Sequence, residues 1–378
     1  LTDIFLRLIK MIIAPLVFTT LVVGIAKMGD TRTVGRIGVK TLGWFMLASL
    51  MSLTLGLVMV HLMQPGVGLS LSLPDDGASS GVLATAISLK DFVTHAIPKS
   101  VVEAMATNEI LQIVVFSLFF GLAAAALGDD AKPVVKLMAS GAEIMLKVTG
   151  YVMNFAPFAV FGAIAAMVAK EGLGILATYG TFMAQFYLAL ACLWLLLIAM
   201  GSLFIRRRIL TLLALIREPI LLAFSTASSE AAYPKTLDRL EKFGCDKRIA
   251  SFVLPMGYSF NLDGSMMYCT FAVMFIAQAY GIELSTAQQI TMLLLLMVTS
   301  KGMAGVPRAS LVVIAATLNQ FHIPEAGILL LLGIDHFLDM GRSATNVLGN
   351  AIAASVVAKS EDSLGETAPL GEVDTAKA

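Results

Sequence analysis

Two long runs without any charged residue limit most strongly what this chain can fold into. Residues 41–74 and 172–205 each extend for 34 residues without Asp, Glu, Lys or Arg. A helix needs about 20 apolar residues to cross the hydrocarbon core of a bilayer. Over the whole chain 58% of the residues are hydrophobic and 14% are charged, against about 25% charged in an ordinary soluble domain. We therefore predict an all-α polytopic membrane protein and exclude a water-soluble globular one.

Other apolar segments predict further membrane crossings, and loop charges predict their orientation. The shorter candidate crossings lie at residues 4–26, 110–128 and 148–169. At about 1.5 Å per residue, each 34-residue run would be roughly 50 Å long as a straight helix, so it must tilt or include ends that do not span. Basic residues in 27–40 and 206–208 predict that both segments are cytoplasmic, whereas 64–109 is predicted to be external. We expect five crossings before residue 209.

The charge balance and the scattered cysteines and histidines argue against several other classes of protein. Basic and acidic residues are equal in number, 26 of each, so no nucleic-acid partner is expected. The three cysteines and four histidines show no metal-ligand spacing, so neither a cofactor nor a resident metal is expected. No nucleophile–base set, HExxH motif or phosphate loop is visible, so an enzyme is not expected. The chain begins at Leu1 and becomes apolar almost at once, and we expect an amino-terminal part of the natural protein to be missing.

In the carboxy-terminal half, single charged residues lie in or beside apolar sequence. A charge at membrane depth is energetically costly, and charged residues that remain there usually serve transport or ion binding. The alternative is that some of them lie in loops or extend to the membrane surface. These residues are Glu230, Asp263, Lys301, Arg308, Asp335, Asp339 and Arg342.

Residues 333–359 carry a polar stripe along a predicted helix. Asp335, Asp339, Arg342, Asn346 and Asn350 recur every three or four residues and would occupy about 80° of one helix face. The planar guanidinium of Arg342 suits a carboxylate, and Asp339 could take an ammonium group. This face would therefore suit a zwitterion with an additional carboxylate. The same spacing also permits Asp339 and Arg342 to pair with each other instead.

Three interruptions of the apolar sequence predict irregular membrane segments. Residues 225–230 (STASSE) and 299–307 (TSKGMAGVP) each lie between apolar arms too short to span. Each predicts a re-entrant helical hairpin, whose tip must be buried in protein or line a cavity. Between them, residues 261–264 (NLDG) break another apolar segment, where unwound carbonyls and a carboxylate would suit a cation. Two hairpins, a broken helix and a polar-striped helix in this order indicate a transporter site.

These motifs resemble those of the dicarboxylate/amino acid:cation symporter family, the glutamate transporter homologues, over essentially the whole chain. The resemblance is carried by the serine-rich first hairpin tip, NLDG at 261–264, AGVP at 304–307 and DMGR at 339–342 followed by Asn346. It implies a glutamate-transporter-like fold with two re-entrant hairpins, and a chain that starts at the family's second helix. The segments it implies are a broken seventh helix at about 248–281, the second hairpin at about 286–320 and a broken eighth helix at about 324–359.

The resemblance also implies a domain organisation and a membrane location. It implies a homotrimer in the bacterial inner membrane, in which a transport part moves across the bilayer against a scaffold. Within a transmembrane symporter domain at 1–359, the scaffold is expected at about 1–37 and 108–171, the transport part at about 38–63 and 172–359, and a polar cytoplasmic tail at 360–378.

By the same resemblance, residues of the two hairpins and of helices 7 and 8 would bind the substrate. Arg342 would bind its side-chain carboxylate and Asp339 its ammonium group. Asn346 and the first hairpin tip would hold the α-carboxylate, and the second hairpin would contact the substrate and close the gate. The further residues assigned in this way are Ser228 and Ser229 at the first tip, Val306 and Ser310 in the second hairpin, and Ser265 near the side-chain carboxylate.

The sequence departs from sodium-coupled members at the coupling sites. Asn350 stands where those members have an aspartate, and Phe45 and Ala48 replace polar residues so that only Ser49 remains. We predict coupling to protons, carried by Glu230 or Asp263, as in the bacterial proton-coupled glutamate/aspartate branch; sodium is the alternative ion. The residues assigned to coupling are Asp263, Glu230, Lys301, Asn261, Asn350 and Asp335, with Lys301 standing in for a sodium ion unless it merely pairs with Glu230.

The predicted function is import of glutamate or aspartate with protons by an elevator-type symporter. Asp339 favours an amino acid over a dicarboxylate, because a buried carboxylate facing a substrate without an amine would be left unpaired. The alternatives are a proton- or sodium-coupled C4-dicarboxylate symporter and an anion channel lined by Arg342 and Lys301.

Overall fold

The computed structural model describes residues 2–28, 31–67, 97–155, 174–300 and 309–367, together with six separate positions between 157 and 169. The described residues are almost entirely α-helical, which confirms the predicted all-α class. Five helical stretches among them are long and apolar enough to cross a membrane: Arg32–Met63, Ile110–Met153, Tyr179–Ile205, Arg208–Thr226 and Lys247–Ala279.

The amino-terminal half consists of long helices. Residues 41–63 of the first charge-free run lie in a continuous helix of 33 residues, which starts ten residues before the run, and residues 174–205 of the second run form a helix of 32 residues. The helix predicted at 148–169 begins earlier, at Lys132, and carries Lys136 and Glu143 on an exposed face; half of residues 154–169 lie outside the described residues. The helices are α1 (Thr2–Met28), α2 (Thr31–Met63), α3 (Val101–Thr107), α4 (Ile110–Leu127), α5 (Lys132–Met153) and α6 (Gly174–Ile205).

The carboxy-terminal half contains the predicted hairpins and broken helices. Its helices are α7 (Arg208–Thr226), α8 (Tyr233–Phe243), α9 (Lys247–Phe260), α10 (Asp263–Ala279), α11 (Thr286–Thr299), α12 (Ala309–Gln320), α13 (Leu329–Leu332) and α14 (Asp335–Ser360). The first hairpin is α7–α8, the broken seventh helix is α9–α10, the second hairpin is α11–α12, and the broken eighth helix is α13–α14. The tip of the second hairpin, 301–308, lies outside the described residues.

Local chemistry explains where these helices stop and start. α7 ends where Ala227 takes a left-handed conformation with φ 49°, and a short turn at Glu230–Ala232 leads into α8, whose first turn accommodates Pro234. α9 ends at Asn261, whose ψ of 62° leaves the helical region. α11 begins with a capping box between Ser285 and Gln288.

α14 is the helix most completely enclosed by the rest of the protein. Every residue from 340 to 358 is buried. It packs against α2, α6, α7, α9 and α10, whereas α1 packs against α4 and α5 and also against α9. A membrane helix with no lipid-facing side can carry polar residues wherever neighbouring helices satisfy them.

The first residues of the predicted tail pack against the helices. The Glu361 carboxylate pairs with Arg36 Nη2 at 2.7 Å and with Lys40 Nζ at 2.5 Å, both at the start of α2. The amide of Gly365 donates to the carbonyl of Gly244 at 2.8 Å. Gly244 has φ 97°, and a Cβ there would lie 2.5 Å from the carbonyl oxygen of Gly365, so only glycine fits this crossing.

The same segment reaches the start of α7. Arg208 Nη2 donates to the carbonyl of Gly365 at 2.7 Å and to that of Phe243 at 2.9 Å. The starts of α2 and α7 therefore lie at one end of the molecule, in agreement with the prediction that their basic residues share one side of the membrane. Residues 368–378 lie outside the described residues.

We expect Glu361→Gln to lower the unfolding free energy by about 1–2 kcal/mol, because the carboxylate accepts charge-assisted bonds from two cations. The bonds from Arg36 and Lys40 hold the pKa of Glu361 below its usual range. This stabilisation is therefore fully present above about pH 4.3 and is lost as the pH falls through the lowered pKa.

Thermal unfolding in detergent at pH 7 and at pH 3 measures this difference. The Glu361→Gln variant should melt below the parent at pH 7 and approach it at pH 3. Glu366→Gln, which changes an exposed glutamate in the same segment, is the control and should melt with the parent. An equal loss in both variants would contradict the assigned ion pairs.

Candidate functional site

The polar stripe of α14 faces the break between α9 and α10. Arg342, Asn346 and Asn350 each contact this broken segment. The two elements approach closely because Gly264 has no side chain: a Cβ there would lie 2.6 Å from the carbonyl oxygen of Arg342. The site therefore consists of one irregular segment and one helix face, both deep inside the protein.

Arg342 is a buried cation between two carboxylates and an aromatic ring. Its side chain is 1% exposed, and Nη2 lies 2.9 Å from Asp339 Oδ1 and 3.3 Å from Asp335 Oδ1. The guanidinium carbon lies 4.2 Å from the centroid of the Tyr268 ring. Nε and Nη1 have no hydrogen-bond partner among the described residues. Leaving such donors unpaired costs about 1–3 kcal/mol each, so an additional carboxylate would be stabilised there.

The two carboxylates beside Arg342 differ in accessibility. Asp335 is 1% exposed and also accepts a hydrogen bond from the Tyr268 hydroxyl at 3.3 Å, whereas the side chain of Asp339 keeps 24% of its surface exposed. Asp339 and Arg342 thus form the pair that their spacing permits, yet Asp339 can still meet a ligand. Arg342, Asp335, Asp339 and Tyr268 together form what we call the arginine site. The predicted role of Asp335 in coupling stays a prediction.

Asn346 holds the start of α10 in place. Its Oδ1 accepts hydrogen bonds from the backbone amides of Gly264 at 2.9 Å and of Ser265 at 3.4 Å, and its Nδ2 donates to Ser265 Oγ at 3.3 Å. The amide oxygen of Asn346 is therefore used by α10 itself, and only its Nδ2 side can donate to a ligand.

A second polar cluster lies one turn further along α14. Asn261, Asp263, Asn350 and Ser52 are all 0% exposed. Asp263 Oδ2 accepts from Asn261 Nδ2 at 2.9 Å, and Asp263 Oδ1 lies 3.2 Å from Ser52 Oγ. Asn261 Nδ2 also donates to Asn350 Oδ1 at 3.2 Å. Asp263 is the ionisable residue among these four, and Ser52, Asn261 and Asn350 are neutral.

Two glycines make room for this cluster. A Cβ on Gly349 would overlap Oδ2 of Asp263, and a Cβ on Gly257 would overlap Oδ1 of Asn350. The cluster therefore depends on residues whose only contribution is the absence of a side chain.

Ser52 in α2 was not predicted. Ser49 was the polar position expected in this helix, and its Oγ donates to the Phe45 carbonyl at 2.6 Å. Ser52 lies three residues later on the same helix and reaches Asp263. Two serines at this spacing within an apolar run were the available signal, although nothing local shows which of them faces a carboxylate.

The first hairpin tip lies on α14 beside the arginine site. Ala223 and Ala232, on either side of the tip, pack against Val347, the residue after Asn346. Ser228 and Ser229 are half-buried, and Ser228 Oγ accepts from the amide of Ala231 within the tip at 3.3 Å.

Glu230 at this tip is half-buried. Its turn, Glu230–Ala232, packs against α1. Lys301, its predicted alternative partner, lies outside the described residues, so that pairing stays a prediction.

The second hairpin is described only in its arms. Ser310 is 6% exposed, and its helix α12 packs against α10, which carries Tyr268. The arm that starts at α12 therefore reaches the arginine site. Lys301, Val306 and Arg308 lie outside the described residues. Among the residues that the structure describes, no cluster of three or more His, Cys, Asp or Glu could hold a metal.

Comparison with known proteins identifies the family of this chain. The profile of the sodium:dicarboxylate symporter family matches residues 1–360. The chain belongs to this family. It is therefore a membrane symporter, multi-pass in the bacterial plasma membrane, and its family is one of transporters rather than enzymes. The resemblance seen in the motifs is confirmed.

Several curated relatives of this symporter match nearly the whole chain. It is 43% identical over 370 residues to a proton/sodium-glutamate symport protein of Bacillus caldotenax, covering 96% of this chain and 88% of the relative. It is 43% identical to a C4-dicarboxylate transport protein of Laribacter hongkongensis, covering 96% and 83%. It is 39% identical to a proton/glutamate-aspartate symporter of Bacillus subtilis, covering 95% and 87%. These names differ in both substrate and coupling ion.

Proposed function

We propose that this symporter imports aspartate or glutamate together with protons. The observation that carries the proposal is the arginine site, in which two buried donors of Arg342 have no partner in the described part of the chain and lie beside the partly exposed carboxylate of Asp339. A carboxylate of the substrate would accept from Arg342, and its ammonium group would lie against Asp339.

Charge balance favours an amino acid over a dicarboxylate. Arg342, Asp335 and Asp339 carry one positive and two negative charges, which sum to −1. Aspartate or glutamate, with two carboxylates and one ammonium group, would bring this sum to −2, whereas a C4-dicarboxylate dianion would bring it to −3. Concentrating like charge in a buried site is costly. A C4-dicarboxylate symporter remains the second candidate, because the relative from Laribacter hongkongensis carries that name.

We propose Asp263 as the residue that carries the proton. Ser52 Oγ lies 2.8 Å from the Ala48 carbonyl and 3.2 Å from Asp263 Oδ1, but a hydroxyl has a single proton to donate. If Ser52 donates to Ala48, a protonated Asp263 would donate to Ser52 and satisfy both contacts. Asn350 and Asn261 add no charge, so one proton would neutralise the cluster. Glu230 is the alternative carrier.

We also propose that the chain forms a homotrimer with the scaffold and transport parts that the resemblance implies. Packing of α1 with α4 and α5, and of α2 with α10 and α14, supports this division. Native mass spectrometry of the full-length protein tests the trimer, and a monomer or dimer would contradict it.

Reconstitution of the full-length protein in liposomes tests the proposed transport. We expect labelled aspartate to accumulate against its gradient when the outside is made acidic and sodium is absent. Accumulation that requires sodium and ignores the pH gradient would overturn proton coupling. Flux that only follows the aspartate gradient would indicate a channel.

We expect Asp339→Asn to weaken aspartate uptake by about 30-fold or more, because losing one partner of a buried charge pair costs at least about 2 kcal/mol. Succinate has no ammonium group, so any succinate uptake should change by less than about threefold. Asp362→Asn, an exposed carboxylate just after α14, is the control. Equal losses for both substrates would contradict the ammonium role of Asp339.

A further inference from the structure

A tryptophan of α6 is hydrogen-bonded to the substrate helix. Trp194 Nε1 donates to Thr345 Oγ1 at 2.8 Å, and Thr345 Oγ1 donates onward to the carbonyl of Gly341 at 2.8 Å. Thr345 is 0% exposed. It lies three residues after Arg342 and directly before Asn346. The single hydroxyl proton and one of the two lone pairs of Thr345 Oγ1 are therefore used, which restricts its rotamer.

A tyrosine of the same helix contacts α14 on the amino-terminal side of Arg342. Tyr187 donates its hydroxyl proton to the carbonyl of Phe337 at 2.6 Å. Its ring lies against Gly341, where a Cβ would be 3.0 Å from the ring. The two bonds from α6 thus bracket the turn that carries Asp339 and Arg342.

Thr345 also packs against the broken segment between α9 and α10. A Cβ on Gly264 would lie 2.8 Å from Cβ of Thr345, so the threonine packs directly on the start of α10. A rotation of α14 about its axis would break the bond to Trp194 and push Thr345 into this contact. The hydrogen bonds from α6 therefore help to fix the position of the Arg342 side chain.

We propose that Trp194 and Tyr187 are positioning residues that hold α14 in the rotation at which Arg342 and Asp339 bind the substrate. This inference rests on the proposed function only in that Arg342 binds a substrate carboxylate. It assigns a part in substrate affinity to α6, whose other face carries exposed leucines such as Leu188 and Leu195.

The two tryptophans of the chain provide a matched test by substitution with phenylalanine. Trp194→Phe removes the donor to Thr345 and keeps an aromatic ring. Trp44→Phe is the control, because Trp44 Nε1 has no hydrogen-bond partner among the described residues. We expect Trp194→Phe to raise KM about five- to tenfold with a smaller change in Vmax, and Trp44→Phe to leave both unchanged.

Substitutions at Thr345 separate the bond from general packing. Thr345→Val removes the hydroxyl and should raise KM as Trp194→Phe does, while Thr345→Ser keeps the hydroxyl and should restore the parental KM. The double variant Trp194→Phe/Thr345→Val should be no worse than either single variant, since all three lack the same bond. Additive losses, or a Thr345→Ser variant as impaired as Thr345→Val, would overturn the proposal.

Fluorescence gives a readout that does not depend on transport. In Trp44→Phe, Trp194 is the remaining tryptophan of the two in the chain, and its emission should change on titration with the substrate that the parent carries, aspartate or succinate. A parent that carries neither aspartate nor glutamate would refute the proposed function. A parent that carries one of them, with unchanged KM in Trp194→Phe, would refute the positioning role alone.

Discussion

Replacing Arg342 with lysine should reduce the affinity for acidic substrates by at least about 30-fold, because a buried charged partner is worth about 2–5 kcal/mol. Lysine keeps a positive charge for Asp335 and Asp339, so the protein should still fold. It loses the planar fork that can pair with two carboxylates and still offer further donors. The stacking of the guanidinium on Tyr268, at 4.2 Å, is lost as well.

Substrate affinity measured by calorimetry on the purified protein tests this expectation without relying on transport. Elution as a single species on size exclusion shows that the variant is folded. Arg248→Lys is the matched control: Arg248 pairs with Asp246 at the start of α9, and its side chain is 42% exposed. If Arg342→Lys bound aspartate within threefold of the parent, Arg342 would not be the carboxylate receptor.

The second large effect is expected at Asp263. Asp263→Asn is close to isosteric and fixes the cluster with Ser52, Asn261 and Asn350 in its neutral form. Aspartate accumulation driven by an acidic exterior should fall to the level of empty liposomes. Exchange of internal for external aspartate needs no net proton movement, so it should persist. Together these two results would separate loss of coupling from loss of binding.

Glu230→Gln distinguishes the two candidate carriers. If Asp263 carries the proton, uptake by Glu230→Gln should keep the pH dependence of the parent. If Asp263→Asn still accumulates aspartate in response to pH while Glu230→Gln does not, Glu230 is the carrier and Asp263 has another role.

The architecture of the carboxy-terminal half could be predicted from the sequence because each interruption carries its own local chemistry. Small and polar residues at 225–230 and 299–307 end apolar arms that are too short to span, and Asn261 interrupts a third segment. Helical periodicity likewise predicts that Arg342 and Asn350 share a face. These signals are local, so one sequence contains them completely.

The partners of those residues could not be predicted, because they come from distant parts of the chain. Ser52 and Asp263 are 211 residues apart, and Trp194 and Thr345 are 151 residues apart. A serine or tryptophan in an apolar run gives no local sign of what it will meet. The sequence could not show whether Asp339 pairs with Arg342, because spacing only permits the bond. The outcome also depends on burial and on the second carboxylate that contacts Arg342, Asp335.

The space that Gly257 leaves for Asn350 has an evolutionary consequence. Aspartate is nearly the same size as asparagine, so it would fit at position 350 without repacking. It would, however, add a second carboxylate within reach of Asn261 and beside Asp263, and two such groups cannot both stay ionised without a cation. One nucleotide change in the codon would therefore alter the charge that the buried cluster has to balance. If Asp263 is the proton carrier that we propose, closely related chains with the same fold could differ in this way in their coupling ion.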